Sequence, residues 1–129
     1  MEWKYVKPLT DGKSIANIEQ KYDVEIPKYV KDIIIKYNGG RPLKNIFNTK
    51  NTEEIVFKSL LSYNKEDKEN IYIYDKLFHK GYIPFAITEF GDAICVNIDN
   101  EFIELYLHEL DKFEYVCDNI EKFLNILYN

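Results

Sequence analysis

At 129 residues, 46% hydrophobic and 16% aromatic, the chain is sized for one domain with a bulky core, and a disordered chain is excluded. No apolar run nears the ~20 residues that span a bilayer, and Met1-Glu2-Trp3-Lys4-Tyr5 lacks the cationic and apolar blocks of a signal peptide. The net charge of −5 is unevenly spread: residues 1–88 carry fifteen Lys and Arg against twelve Asp and Glu, whereas residues 89–129 carry Lys112 and Lys122 against ten acidic side chains.

The first helix is expected to follow Thr10 or Asp11, either of which can cap free backbone N–H groups, and to run over Asp11–Tyr22. A second helix is expected over Pro27–Tyr37. Proline suits a first turn, where its missing N–H is not needed. Val30, Ile33, Ile34 and Tyr37 recur at the spacing of a buried stripe. Asn38-Gly39-Gly40 ends it, because glycine enters the left-handed region at little steric cost.

Asn45–Asn48 and Glu54–Leu61 read as short strands around the polar turn 48–52. Glu66–Lys80 stays open: Ile71-Tyr72-Ile73-Tyr74 suits a strand by propensity and a helix by context. From Tyr82 the pattern is β. Ile94, Val96 and Ile98 alternate with Ala93, Cys95 and Asn97. Asp99-Asn100-Glu101 turns the chain, and Ile103, Leu105 and Leu107 alternate with Glu104, Tyr106 and His108. That is an antiparallel hairpin with one apolar face. A closing helix over Asp118–Tyr128, capped by Asp118, buries Ile120, Phe123, Leu124 and Leu127. Helices at both ends and strands between them define an α+β fold: a central, mainly antiparallel sheet packed with N-terminal helices and a C-terminal helix. Val30, Ile33, Ile34, Phe85, Phe123 and Leu124 are expected to be buried.

Trp3, Ile26-Pro27, Asn38-Gly39-Gly40, Ile83-Pro84-Phe85-Ala86, Gly91-Asp92 and Ile120-Glu121-Lys122-Phe123-Leu124 come in an order that resembles the SUKH superfamily (Smi/Knr-type). The similarity covers nearly the whole chain, as one domain over 1–129. The resemblance implies the same α+β fold and a role in protein binding: bacterial members are immunity proteins against polymorphic or contact-dependent toxins, many of them nucleases. A fungal member is a cell-wall assembly regulator. Arg41–Asn51 departs from any pattern in the resemblance and is a second candidate for partner specificity.

The chemistry-bearing residues give a weak catalytic case. A Cys95 thiolate would need an adjacent base such as His108, yet no orienting third group or oxyanion site is visible. His79 and His108 lie far apart and no Cys-x-x-Cys exists, so no metal and no cofactor is expected. Two cysteines make no disulfide framework, which fits a reducing cytoplasm. One arginine, Arg41, among seventeen basic residues argues against direct nucleic-acid binding. The acidic last third instead fits a basic protein partner, here a toxin blocked by occlusion. Glu89, Asp99, Glu101, Glu104, Glu109, Asp111 and Glu114 are the candidate contact residues. Trp3, Pro27, Asn38, Gly39, Gly40, Pro84, Phe85, Gly91 and Asp92 are read as structural. A monomer is expected. The alternatives are a regulatory scaffold and, last, a hydrolase using Cys95 or the carboxylates.

Overall fold

The computed structural model describes residues 1–129. Helix α1 spans Ser14–Tyr22 and buries Ile18. It starts later than the composition of its first turn suggests. Lys13 stands at its N-terminus and offers no side-chain cap. Asp11 instead closes a turn ahead of the helix, its carboxylate accepting from Lys13 N at 2.8 Å and its carbonyl from Ser14 N at 3.1 Å. Thr10 is drawn away, donating from N and Oγ1 to Asn64 Oδ1.

Helix α2 spans Lys28–Tyr37 and buries Val30, Ile33 and Ile34 on one stripe. Pro27 sits one residue earlier than expected, as the extended capping residue (φ −55°, ψ 143°), and its carbonyl accepts Lys31 N at 3.0 Å. The exit uses Gly39 at φ +70°. Asn38 does more than end the helix. Its side chain donates to the Lys7 carbonyl (2.8 Å) and Ser62 Oγ (3.0 Å) and accepts from Tyr63 N (2.8 Å). At 1% exposure this amide ties the end of α2 to the segments at Lys7 and at Ser62–Tyr63.

The strands form two sheets. β1 (Trp3–Lys4) pairs antiparallel with β2 (Arg41–Pro42). The larger sheet is a six-stranded antiparallel meander: β3 (Ile46–Phe47), β4 (Ile55–Leu60), β5 (Tyr82–Thr88), β6 (Ala93–Asn97), β7 (Ile103–Leu107) and β8 (Lys112–Cys117), adjacent in chain order. Both strands expected before residue 61 are present. β8 was not anticipated, because Lys112–Cys117 shows no clean apolar alternation and leaves no residue fully buried.

The open segment resolves as a 3₁₀ helix over Ile71–Lys80, broken by a kink at Tyr74 (φ −116°, ψ 23°), capped by Asn70 and ended by Gly81 at φ +87°. β4 is already paired on both sides, by β3 and β5, so this segment cannot return to pair with the strand it follows. Its buried residues are Ile71 before the kink and Leu77 and Phe78 after it.

The 3₁₀ helix also corrects the expectation of one apolar sheet face. Ile83, Phe85, Ile94, Val96, Ile103 and Leu105 join the main core. The other face is covered too: Ala93, Cys95 and Tyr106 pack with Leu77 in a second cluster bordered by Tyr74, Tyr82 and Phe113. Tyr82 stacks on Phe113 with ring centres 3.8 Å apart. Ile98 lies beyond β6 and is exposed rather than part of the apolar stripe. Pro84 is tolerated inside β5 because the register shifts between Pro84 and Ala86.

Helix α3 spans Ile120–Ile126, shorter at both ends than expected. Its cap is Asn119, which accepts Lys122 N at 2.8 Å; Asp118 instead accepts the Tyr115 hydroxyl and faces Lys122 at 3.5 Å. Leu124 is half-buried, whereas Phe123 is sealed among Phe47 (5.1 Å between ring centres), Phe57 (5.9 Å) and Phe85 (6.0 Å). After the helix, Tyr128 exchanges two 2.9 Å backbone hydrogen bonds with Ile46. The helix therefore leaves the β8 edge and ends on the β3 edge.

Two stability predictions follow from this packing. Phe123→Ala should lower unfolding free energy by about 3–5 kcal/mol in a urea titration, because three surrounding rings cannot close the void. Asn38→Ala should lower it by about 2–4 kcal/mol, since a backbone N–H and carbonyl are left buried without their partner. A loss below about 1 kcal/mol in either variant would contradict the assigned packing.

Candidate partner-binding surface at the hairpin tips

In a meander, alternate turns share an end of the sheet. The β5–β6 turn (residues 89–92) and the β7–β8 turn (residues 108–111) therefore sit together, and the β6–β7 turn (residues 98–102) lies at the far end. Gly91, at φ +88°, tightens the first of these turns. Its N–H donates to Thr88 O, and Asp92 N donates to Thr88 Oγ1, both at 3.1 Å. Asp92 then crosses to the neighbouring turn: its Oδ1 accepts His108 N at 3.1 Å and lies 2.5 Å from His108 Nδ1. The Tyr74 hydroxyl donates to Gly91 O at 2.5 Å. The two tips are thus tied to each other and to the 3₁₀ helix.

What these tips display is apolar. Phe90 is 80% exposed and Leu110 is 62% exposed, although reverse turns ordinarily carry small polar residues. Between them lies a groove of about 290 Å³ lined by both, by Asp92 and His108, and by Leu107 and Glu109. Neither Phe90 nor Leu110 stood out in the sequence, where a single apolar residue in a turn is common. Only the strand order places the two side by side.

The seven candidate carboxylates are not one patch. Glu89 and Glu109 are exposed at this end, beside the apolar pair. Asp111 is here as well, accepting the Tyr106 hydroxyl (2.8 Å) and the Lys80 ammonium (3.0 Å), which hold its carboxyl below the usual carboxylate range. Asp99 and Glu101 sit at the opposite end of the sheet. Glu104 lies on the second sheet face, where its oxygens accept the Tyr82 hydroxyl (3.0 Å) and the Asn97 amide (2.9 Å). Glu114 is half-buried in β8 with Oε1 enclosed.

The remaining motif residues are spread through the frame. Trp3 is half-buried, stacked on Tyr37 at 5.1 Å and edge-on to Phe57 at 6.2 Å. A Cβ on Gly40 would stand 2.7 Å from the Tyr37 carbonyl, so that position admits no side chain without backbone movement. Pro84 and Phe85 are buried within β5.

Cys95 and His108 do not form a nucleophile–base pair. Cys95 is fully buried opposite Glu104, while His108 lies four residues farther along the chain from Glu104, roughly 13 Å by strand rise. Burial pushes the Cys95 thiol well above its ordinary pKa, which suppresses the thiolate that nucleophilic attack needs. No three His, Cys, Asp or Glu side chains gather in a metal-binding arrangement. No helix is long and apolar enough to cross a membrane.

An antiparallel meander backed by helices, with a tied pair of hairpin tips exposing an aromatic and a leucine, defines an α+β domain. Residues 12–124 match the family model described as SMI1-KNR4 cell-wall (SUKH_6), and the chain belongs to that family. No curated protein matches the sequence.

The two thiols give a direct check of the packing. Burial moves Cys117 up to about 11 and raises Cys95 well above its ordinary value, so both are neutral in the folded protein at pH 8. Alkylation by iodoacetamide at that pH, followed by mass spectrometry, should label half-exposed Cys117 slowly and leave Cys95 unmodified until denaturant is added. Native labelling of Cys95 at the rate of a free thiol would contradict its place beneath the 3₁₀ helix.

Proposed function

We propose that this chain is an immunity-type protein that binds and occludes a cognate toxin inside the cell that makes both, using the paired hairpin tips as its contact surface. The observation that carries this reading is the exposed Phe90–Leu110 pair held between fixed turns, with Glu109 lining the groove between them and Glu89 preceding Phe90 in its turn. Interface energy concentrates in aromatic anchors at the centre of a patch, surrounded by polar groups that set orientation and encounter rate. A standard interface takes about 800 Å² from each partner. That is roughly a ninth of the 7398 Å² surface of the chain. The acidic rim favours a basic partner. Family membership supports an immunity or regulatory role, and the buried, protonated Cys95 supports a non-catalytic one.

A regulatory scaffold is the second reading, favoured by the cell-wall description of the family model. A toxin gene beside the coding sequence separates the two.

The test is surface plasmon resonance against the toxin encoded by that neighbouring gene. Phe90→Ala should weaken binding by about 2–4 kcal/mol, chiefly through faster dissociation. A Glu89→Lys/Glu109→Lys variant should associate about tenfold more slowly at low salt, with the difference shrinking as salt is raised. Asp99→Lys/Glu101→Lys, at the far turn, should change little. Unaltered binding by the folded Phe90 and Glu89/Glu109 variants would place the interface elsewhere, with Arg41–Asn51 the next segment to examine.

A further inference from the structure

Asn38 is the one asparagine followed by glycine; the others inside the chain precede Ile, Thr, Lys or Glu. Such a bond is a chemical weak point, because glycine carries no side chain to screen its amide nitrogen and leaves the backbone free to turn. In a free chain Gly39 N attacks Cγ of Asn38. A bond forms between them, the Cγ–Nδ2 bond breaks, and ammonia departs with the Gly39 amide proton. Water then opens the five-membered imide on either side, leaving a carboxyl on the side chain (aspartate) or on the main chain (isoaspartate). The balance is amide plus water to acid plus ammonia, with no change of oxidation state.

The fold shuts this reaction off. Asn38 is 1% exposed, and the leaving nitrogen Nδ2 donates to Lys7 O at 2.8 Å and to Ser62 Oγ at 3.0 Å. Oδ1 is held by Tyr63 N at 2.8 Å. The backbone is fixed as well: Asn38 N donates to Ile34 O at 2.9 Å, and Asn38 O accepts Lys7 N at 2.7 Å. Gly39 is itself buried against the Lys7 side chain. Turning Cγ toward Gly39 N breaks the side-chain bonds, so ring closure belongs to the unfolded chain.

The product does not fit the site it leaves. A carboxylate offers only acceptors, and both groups that Nδ2 serves are acceptors here. Lys7 O has no proton to give, and the Ser62 hydroxyl gives its own to Asp67 Oδ2 at 2.6 Å. A buried carboxylate facing two acceptors loses its hydration without gaining donors. Isoaspartate adds a main-chain carbon at the exit of α2 besides.

We propose that Asn38 is a spontaneous deamidation site that folding conceals, so that prolonged unfolding of this chain is made irreversible by a covalent step. Incubation of the whole chain at pH 8.5 and 37 °C, in buffer and in denaturing guanidinium chloride, tests this by peptide mass spectrometry. In denaturant the peptide holding Asn38 should gain the mass of an amide-to-acid exchange at least about tenfold faster than in the native chain, and before any other asparagine. Denatured Gly39→Ala should react at least about tenfold more slowly, a comparison that needs no folded variant. On dilution from denaturant, chains modified at Asn38 should be depleted from the folded fraction on size exclusion, relative to unmodified chains of the same sample. Asn38→Asp, which makes the aspartate product directly, should fail to fold or unfold at lower urea. Equal rates in native and denatured chains, another asparagine reacting first in denaturant, or modified chains refolding in full with the parent's unfolding midpoint would each overturn the proposal. None of these outcomes bears on the toxin reading, which rests on the hairpin tips.

Discussion

The structure hangs on the aromatic contact that seats Phe123. One phenyl ring on the seven-residue α3 meets rings from β3, β4 and β5, and Phe57 carries the contact on to Trp3 and Tyr37. A helix of two turns has little stability of its own, since nucleation in isolation is unfavourable. Its persistence comes from this burial and from its two ends, the Asn119 cap and the Tyr128–Ile46 bridge. Because α3 departs from one edge strand and finishes on the other, seating Phe123 also fixes where the two edges of the meander lie.

The hairpin tips depend on this frame. Antiparallel order brings residues 89–92 beside residues 108–111, and Asp92 converts adjacency into a link through His108. Phe90 and Leu110 can then stay exposed in a fixed arrangement, which lowers the entropy lost when a partner docks. The second buried sheet face contributes from below. Tyr74, on the 3₁₀ helix, reaches Gly91 and ties the covering segment to the first tip.

Much of the fold was legible because periodicity reports burial. Val30, Ile33 and Ile34 announced α2, and the alternation through Ile94–Val96 and Ile103–Leu105 announced the central hairpin. Tertiary context overrode local signals elsewhere. Ile71–Tyr74 has strand propensity, but β4, the strand before it, is already flanked by β3 and β5. Lys112–Cys117 forms an edge strand whose faces are both partly wet, so its alternation is blurred. Asp118 and Asn119 are both good caps, and the hydroxyl of Tyr115 decided between them by engaging the aspartate. The candidate surface was legible only as charge. The excess of acid after residue 88 is real, but strand reversal sends Asp99 and Glu101 away from Glu89 and Glu109, and Tyr82 and Asn97 draw Glu104 into the second face. The apolar pair at the centre was invisible, because one residue from each of two turns has no spacing to read.

The central claim is that the tied tips are the contact surface, and hydrogen–deuterium exchange of the chain with and without its cognate toxin tests it most directly. The account predicts slowed exchange on binding at residues 89–92 and 108–111, with the turn at residues 98–102 and the exposed face of α2 unchanged. Protection confined to that far turn or to α2, with both tips exchanging as in the free protein, would contradict it.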